Sequence, residues 1–273
     1  KLVDNKGVVE GEENPDSDVQ SIQYAVDNYD EVLLKGRFNI GNANIVIKKS
    51  VTIRGEGRTG DVPDTKIYKR GWVFPFADQE FLFTIGGRDI DVVIENIHFE
   101  NFNGTCIGTR EGNSLVIRKN RITLLSSLGR GLSFGKWGDH IVGLTVGGDV
   151  YEMSFPGGVI VEDNYLDFAL SYTRGGFLDY DGRQNTPTYR PDLLNHETGI
   201  CVGINICRNA GKVIARNNII RNMNSRGILV FDNWDSADIL IEGNRIESDV
   251  FGVYPYNSMM AGVGIMAQSA WSL

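Results

Sequence analysis

One short pattern recurs along the chain and limits what it can fold into. It appears as VVIENIHFEN (92–101), LVIRKNRITLL (115–125), VIVEDNYLDF (159–168), VIARNNIIRN (213–222) and ILIEGNRIES (239–248). Each copy has alternating aliphatic residues, an asparagine, and further aliphatics, and this period of two is the signature of β-strands. The shared asparagines are Asn96, Asn120, Asn164, Asn218 and Asn244, separated by 24, 44, 54 and 26 residues. A repeat of about 22 residues carrying two insertions accounts for all four separations. Asparagine suits a tight bend between two strands, because it tolerates the left-handed conformation and its amide bonds nearby backbone. Stacked at about 4.8 Å, such asparagines can also bond one another as a ladder.

After each pair of strands comes a glycine-led segment: GTCIG (104–108), GLSFG (131–135), GICVG (199–203), GILVF (227–231) and GVYPY (252–256). These segments read as a further strand, the first of the next coil, so each coil has three. The predicted fold is all-β, a right-handed parallel β-helix of about eight coils forming a single domain over residues 1–273. Composition agrees, with 33 glycines and only 7 prolines in 273 residues. The segment 17–29 reads as a capping helix, with Ser17 or Asp18 as its cap and Ile22, Ala25 and Val26 facing the first coil.

The repeats, together with SDVQSIQYAVDNYDEVLLKGRFNI (17–40) and IVIKKSVTIRGEG (45–57), resemble the right-handed parallel β-helix superfamily of pectate-lyase-like polysaccharide lyases and hydrolases. The resemblance is one of architecture. The WIDH and RxPxxR segments of pectate lyases, the NTD, DD, GHG and RIK set of polygalacturonases and the DFIFG of pectin methylesterases are not found. The resemblance implies a carbohydrate-active protein whose groove runs along the sheet of first strands.

Two long insertions, 136–156 and 172–198, are expected to border that sheet from opposite sides on adjacent coils, where insertions in a periodic chain often build a binding face. In a competing register Gly176 to Tyr180 form the first strand themselves. The insertions concentrate candidate catalytic groups, Lys136, His140, Arg183 and His196. Candidate sugar-binding groups are Trp137, Tyr172, Arg174, Phe231, Trp234 and Tyr254. Abstraction of the proton beside a uronate carboxylate needs a base of lowered pKa and a neutralising cation, supplied by Arg, Lys or Ca²⁺. Asp179 and Asp181, in DYDGRQN (179–185), are the candidate Ca²⁺ ligands, although the terminal Glu of an EF-hand loop is missing. The function read from this is β-elimination on a uronate-containing polysaccharide. A β-helix glycoside hydrolase using paired carboxylates, and a non-catalytic glycan-binding or structural module, are the alternatives.

Other partners are argued against by the charge and hydropathy pattern. The net charge is −8 with Lys and Arg scattered, which disfavours nucleic acid. No apolar run of bilayer-spanning length occurs. GEGRTG (55–60) lacks the ending of a phosphate loop and reads as a turn. A start at Lys1, without an initiator Met, suits a processed protein that is secreted or on the cell surface. From Asn257 to Leu273 there is no charged residue, so the C-terminal end is expected to be truncated, folded back, or open to end-to-end self-association.

Overall fold

The computed structural model describes residues 7–41, 43–68, 81–102, 105–124, 140–146, 156–167, 178–181, 186–189, 200–207, 211–221, 226–231, 238–247 and 263–268. Over these the chain is predominantly β, with one helix, Pro15–Asn28. Three parallel sheets are visited in rotation. Sheet A has eight strands: Val8–Glu10, Glu31–Lys35, Val51–Gly55, Asp91–Glu95, Ser114–Arg118, Gly158–Glu162, Lys212–Arg216 and Asp238–Glu242. Sheet B has seven: Arg37–Asn39, Lys66–Tyr68, His98–Phe102, Arg121–Leu124, Tyr165–Asp167, Ile219–Arg221 and Arg245–Glu247. Sheet C has the other seven: Ile45–Ile47, Phe81–Gly86, Thr105–Glu111, His140–Val146, Ile200–Cys207, Arg226–Phe231 and Val263–Gln268.

The alternation read from the sequence sets the core. In sheet A, Ile53, Ile94, Ile117, Val161 and Ala215 stand in register and are fully buried. Phe38, Ile67, Phe99, Ile122, Leu166 and Ile220 do the same in sheet B, and Phe83 meets Phe99 edge to face at 6.2 Å. On sheet A's outer side the last column reads Arg54, Glu95, Arg118, Glu162, Arg216, Glu242, so charge alternates from strand to strand. Arg118 Nε lies 2.6 Å from Glu95 and Arg216 2.7 Å from Glu162.

The ladder forms at the A-to-B bend, with one shift from expectation. Asn120, Asn164 and Asn218 each donate from the backbone N–H and from Nδ2 to the next Oδ1 in the series, ending at Asn244, over 2.9–3.2 Å. Their Nδ2 groups also donate to the carbonyls of Ile94, Ile117 and Val161. Asn96 is not in this column: Ile97 is, accepted by Asn120 Oδ1 at 3.0 Å, so the true step is 23 residues. The left-handed residue is the one before the ladder, namely Asn96, Lys119, Asp163, Asn217 and Gly243, with φ of 54–63°. The bend therefore uses two residues, one to turn left-handed and one to point its amide inward.

The expected helix cap is corrected. The helix is capped by Asn14, whose Oδ1 accepts from Asp16 N and Ser17 N; Ile22, Ala25 and Val26 are buried as anticipated. Asp18 is instead fully buried and accepts from Glu12 N and Asn39 N at 2.8 Å. Gln23 donates to Val46 O and accepts from Val46 N, so its amide stands in for a neighbouring strand at the sheet C edge.

The leading glycine of the strand Ile200–Cys207 is Gly203, not Gly199: the pairs Val202↔Arg226 and Ile204↔Ile228 set it beside Gly227. Gly143 and Gly264 extend that column. A Cβ at Gly203 would lie 2.6 Å from Gly227 O and from Ile220 Cγ2, so the corner between sheets B and C admits no side chain there.

Sheet C also takes the strand His140–Val146 out of the middle of the 136–156 insertion. The segment that the competing register gave to a first strand is instead Leu178–Asp181, which pairs antiparallel with Thr186–Tyr189 outside the three sheets. GEGRTG opens a two-stranded hairpin, Arg58–Thr59 with Val62–Pro63.

Candidate functional site

The connections between strands are not evenly distributed. Those from sheet A to sheet B are mostly bends, and those from sheet C to sheet A are short apart from 147–157. The long ones, 69–80, 125–139, 168–199 and 248–262, all run from sheet B to sheet C. Of the two insertions, 172–198 lies wholly within a B-to-C connection, whereas 136–156 gives only its first four residues to one and continues through the sheet C strand His140–Val146 into the connection to sheet A. Long connections in a repetitive chain cost ordering entropy and collect where a face is used.

Of the residues singled out in the sequence, Lys136, Trp137, Tyr172, Arg174, Arg183, His196, Trp234 and Tyr254 lie outside the described residues. His140 opens a sheet C strand and is paired with Ile200. Phe231 closes another, paired with Cys207 and Gln268, at the opposite end of the same sheet. Asp179 and Asp181 occupy alternate positions of the hairpin, paired with Thr188 and Thr186. Among the described residues no group of three or more His, Cys, Asp or Glu is arranged to hold a metal.

A cluster that the sequence reading passed over lies on the outer face of sheet B, leading into the B-to-C corner. The residue after each ladder position starts a sheet B strand, and the column so formed reads Arg37, Lys66, His98, Arg121, Tyr165, Ile219, Arg245. Arg37 and Lys66 share Glu100, at 3.3 and 3.5 Å. Arg221 and Arg245 share Glu247. Arg37 lies over the Tyr68 ring at 5.0 Å and Arg121 over the Tyr165 ring at 4.3 Å. The Tyr165 hydroxyl donates to Asp167 Oδ2 at 3.0 Å, and its oxygen, together with Glu247, raises the Arg221 pKa. The signal was present in the repeat as the pairs Ile97-His98, Asn120-Arg121 and Asn164-Tyr165.

His98 is 7% exposed. Its Nε2 lies 3.0 Å from Thr123 Oγ1 and its buried Nδ1 has no partner among the described residues. Its pKa is lowered to about 4, chiefly by burial, with Glu100 opposing the shift and Lys66 and Arg121 adding to it. The imidazole is thus neutral at pH 7. Because the unfolded chain binds a proton near the ordinary pKa of about 6.5 and the folded chain does not until about 4, stability falls as pH drops through that window. Allowing for solvent screening, the expected loss is about 2 kcal/mol. Urea unfolding at pH 7 and pH 4 should show a shallower pH dependence for His98→Gln than for the wild type; equal slopes would remove His98 as the cause.

Comparison of the chain with models of known families, with curated proteins and with solved structures finds no match.

Proposed function

We propose that the three sheets wind as a right-handed parallel β-helix, similar in architecture to the pectate-lyase-like superfamily, and that the protein cleaves a uronate-containing polysaccharide by β-elimination. The observation that carries this reading is the gathering of the long B-to-C connections at one corner, beside sheet C. Such a corner gives an extended polymer a walled path along successive coils. In the proposed reaction a base takes the proton beside the carboxylate, a carbon–carbon double bond forms in that sugar, and the bond to the glycosidic oxygen breaks, that oxygen leaving as a hydroxyl with a proton from an acid in the site or from water. Lys136, His140, Arg183 and His196 are the groups assigned to proton transfer and charge neutralisation. Trp137, Tyr172, Arg174, Phe231, Trp234 and Tyr254 are assigned to the sugar rings. Asp179 and Asp181 would supply two of the six to eight oxygens that Ca²⁺ requires, the remainder coming from elsewhere in the site or from the substrate. The polymeric substrate places the protein outside the cell or on its surface. Leu240 and Ile265, 42% and 48% exposed near the last described strands, suit end-to-end self-association.

A second reading, a non-catalytic glycan-binding or structural module, draws support from the described surface, where Glu95, Glu100, Glu162 and Glu247 are all paired with Arg or Lys. The test is incubation with a panel of uronate polysaccharides, with and without Ca²⁺, following ultraviolet absorbance of the new double bond and the appearance of reducing ends. A rise in absorbance that Lys136→Ala or His140→Ala abolishes is the expected result. Reducing ends without the rise would make the protein a hydrolase, and neither signal would make it a binding module.

A further inference from the structure

The outer face of sheet B holds three pairing situations along one line. At one end two cations share Glu100, at the other two share Glu247, and between them stands Arg121. Among the described residues no carboxylate lies within ion-pair distance of its guanidinium. Arg121 is half-buried and stacked on the Tyr165 ring. That ring is itself fixed, since its hydroxyl donates to Asp167. A stacked guanidinium is already oriented and keeps its N–H edge free, which is the geometry that grips a planar carboxylate with two parallel hydrogen bonds. The neighbour in the column, His98, adds a buried ring nitrogen without a partner among the described residues, with the Thr123 hydroxyl against its other nitrogen.

We propose that Arg121, on its Tyr165 platform beside His98 and Thr123, is a carboxylate-binding subsite for one uronate unit of an acidic glycan lying across sheet B. The inference rests on the polysaccharide reading for the class of ligand, but not on cleavage. The strands that carry Arg121 and Tyr165 run directly into the connections 125–139 and 168–199, so a chain gripped here extends towards the B-to-C corner. Carboxylate recognition by Arg121 is ionic and bidentate, whereas the Arg and Lys residues on either side are already engaged by Glu100 and Glu247. One position therefore dominates, and its neighbours set the positive surroundings.

The experiment is calorimetric titration of the full chain, without Ca²⁺, with an oligogalacturonate and with its carboxyl-reduced counterpart. Both are repeated on Arg121→Gln, Arg121→Lys and Arg245→Gln, with a thermal melt of each variant. Wild type should bind the acidic oligomer and not the reduced one. Arg121→Gln should weaken binding by roughly tenfold or more, and Arg121→Lys should recover only part of it, because lysine keeps the charge and loses the fork. Arg245→Gln should stay within about twofold, as its partner is Glu247 rather than the ligand. Binding unchanged in a folded Arg121→Gln, equal binding of both oligomers, or no binding by wild type would overturn the subsite. Cleavage of polymer by an Arg121→Gln protein that binds oligomer normally would sink this inference and leave the proposed function standing. Arg121-dependent binding without any cleavage would do the reverse.

Discussion

Replacing Asn164 with leucine is expected to destabilise the protein by about 4 kcal/mol, since several buried polar groups each lose a partner worth roughly 1–3 kcal/mol. Asn164 is 1% exposed, and its Oδ1 accepts both the backbone N–H and the Nδ2 of Asn120. Its own Nδ2 satisfies Ile117 O and reaches Asn218 Oδ1. Leucine fills a similar volume, so the loss reports the hydrogen bonds rather than a cavity. The chain itself carries the control. Ile97 occupies the same column, and there polar groups are met by other side chains: Thr65 Oγ1 accepts from Glu56 N, and Asn96 donates its Nδ2 to Gly55 O and Gly57 O. No residue beside Asn164 is placed that way, since Asp163 has no amide to donate. Urea midpoints for wild type and Asn164→Leu decide the matter; midpoints that coincide would mean that the ladder contributes nothing to stability.

The second large effect is expected at the B-to-C corner. A Cβ at Gly227 would sit 2.4 Å from Gly264 O and 2.7 Å from Ile246 Cγ2, whereas at Gly264 no atom of the described residues lies within 4 Å. Gly227→Ala should therefore cost about 3 kcal/mol, because the obstacle is the backbone of the next strand and cannot rotate away. Gly264→Ala should stay within about 0.5 kcal/mol of wild type. Thermal melts of the two variants test the pair. Equal shifts would mean that the glycines are kept for some reason other than close approach.

These two positions also show what the sequence could and could not reveal. Asn120, Asn164, Asn218 and Asn244 were legible because a buried amide ladder requires the same residue at the same place in every circuit. Asn96 misled because it serves the bend from the neighbouring position, and an asparagine looks the same in either. Gly199 and Gly203 are four apart, so a period of two gives both the same face. What separates them is Ile220, a contact across sheets that no local pattern contains. The strand His140–Val146 was missed within an insertion for a related reason: its Gly143 aligns with Gly203 only once that register is known. The proposed catalytic groups sit mainly in the long connections, where no periodicity constrains them, and most lie outside the described residues. Arg121 and Tyr165 were within reach of the repeat, but a column of arginine, tyrosine and isoleucine looks irregular until its pairing partners are known.

The alternating column on sheet A, from Arg54 to Glu242, bears on how a chain of this kind can change length. Each step joins opposite signs, so removing or duplicating one circuit anywhere inside the column would bring two arginines or two glutamates face to face. Like charges directly opposite in a sheet are destabilising. Removing or duplicating two adjacent circuits leaves every junction matched. The column thus acts as a parity rule: internal duplication and deletion are tolerated in pairs and resisted one at a time.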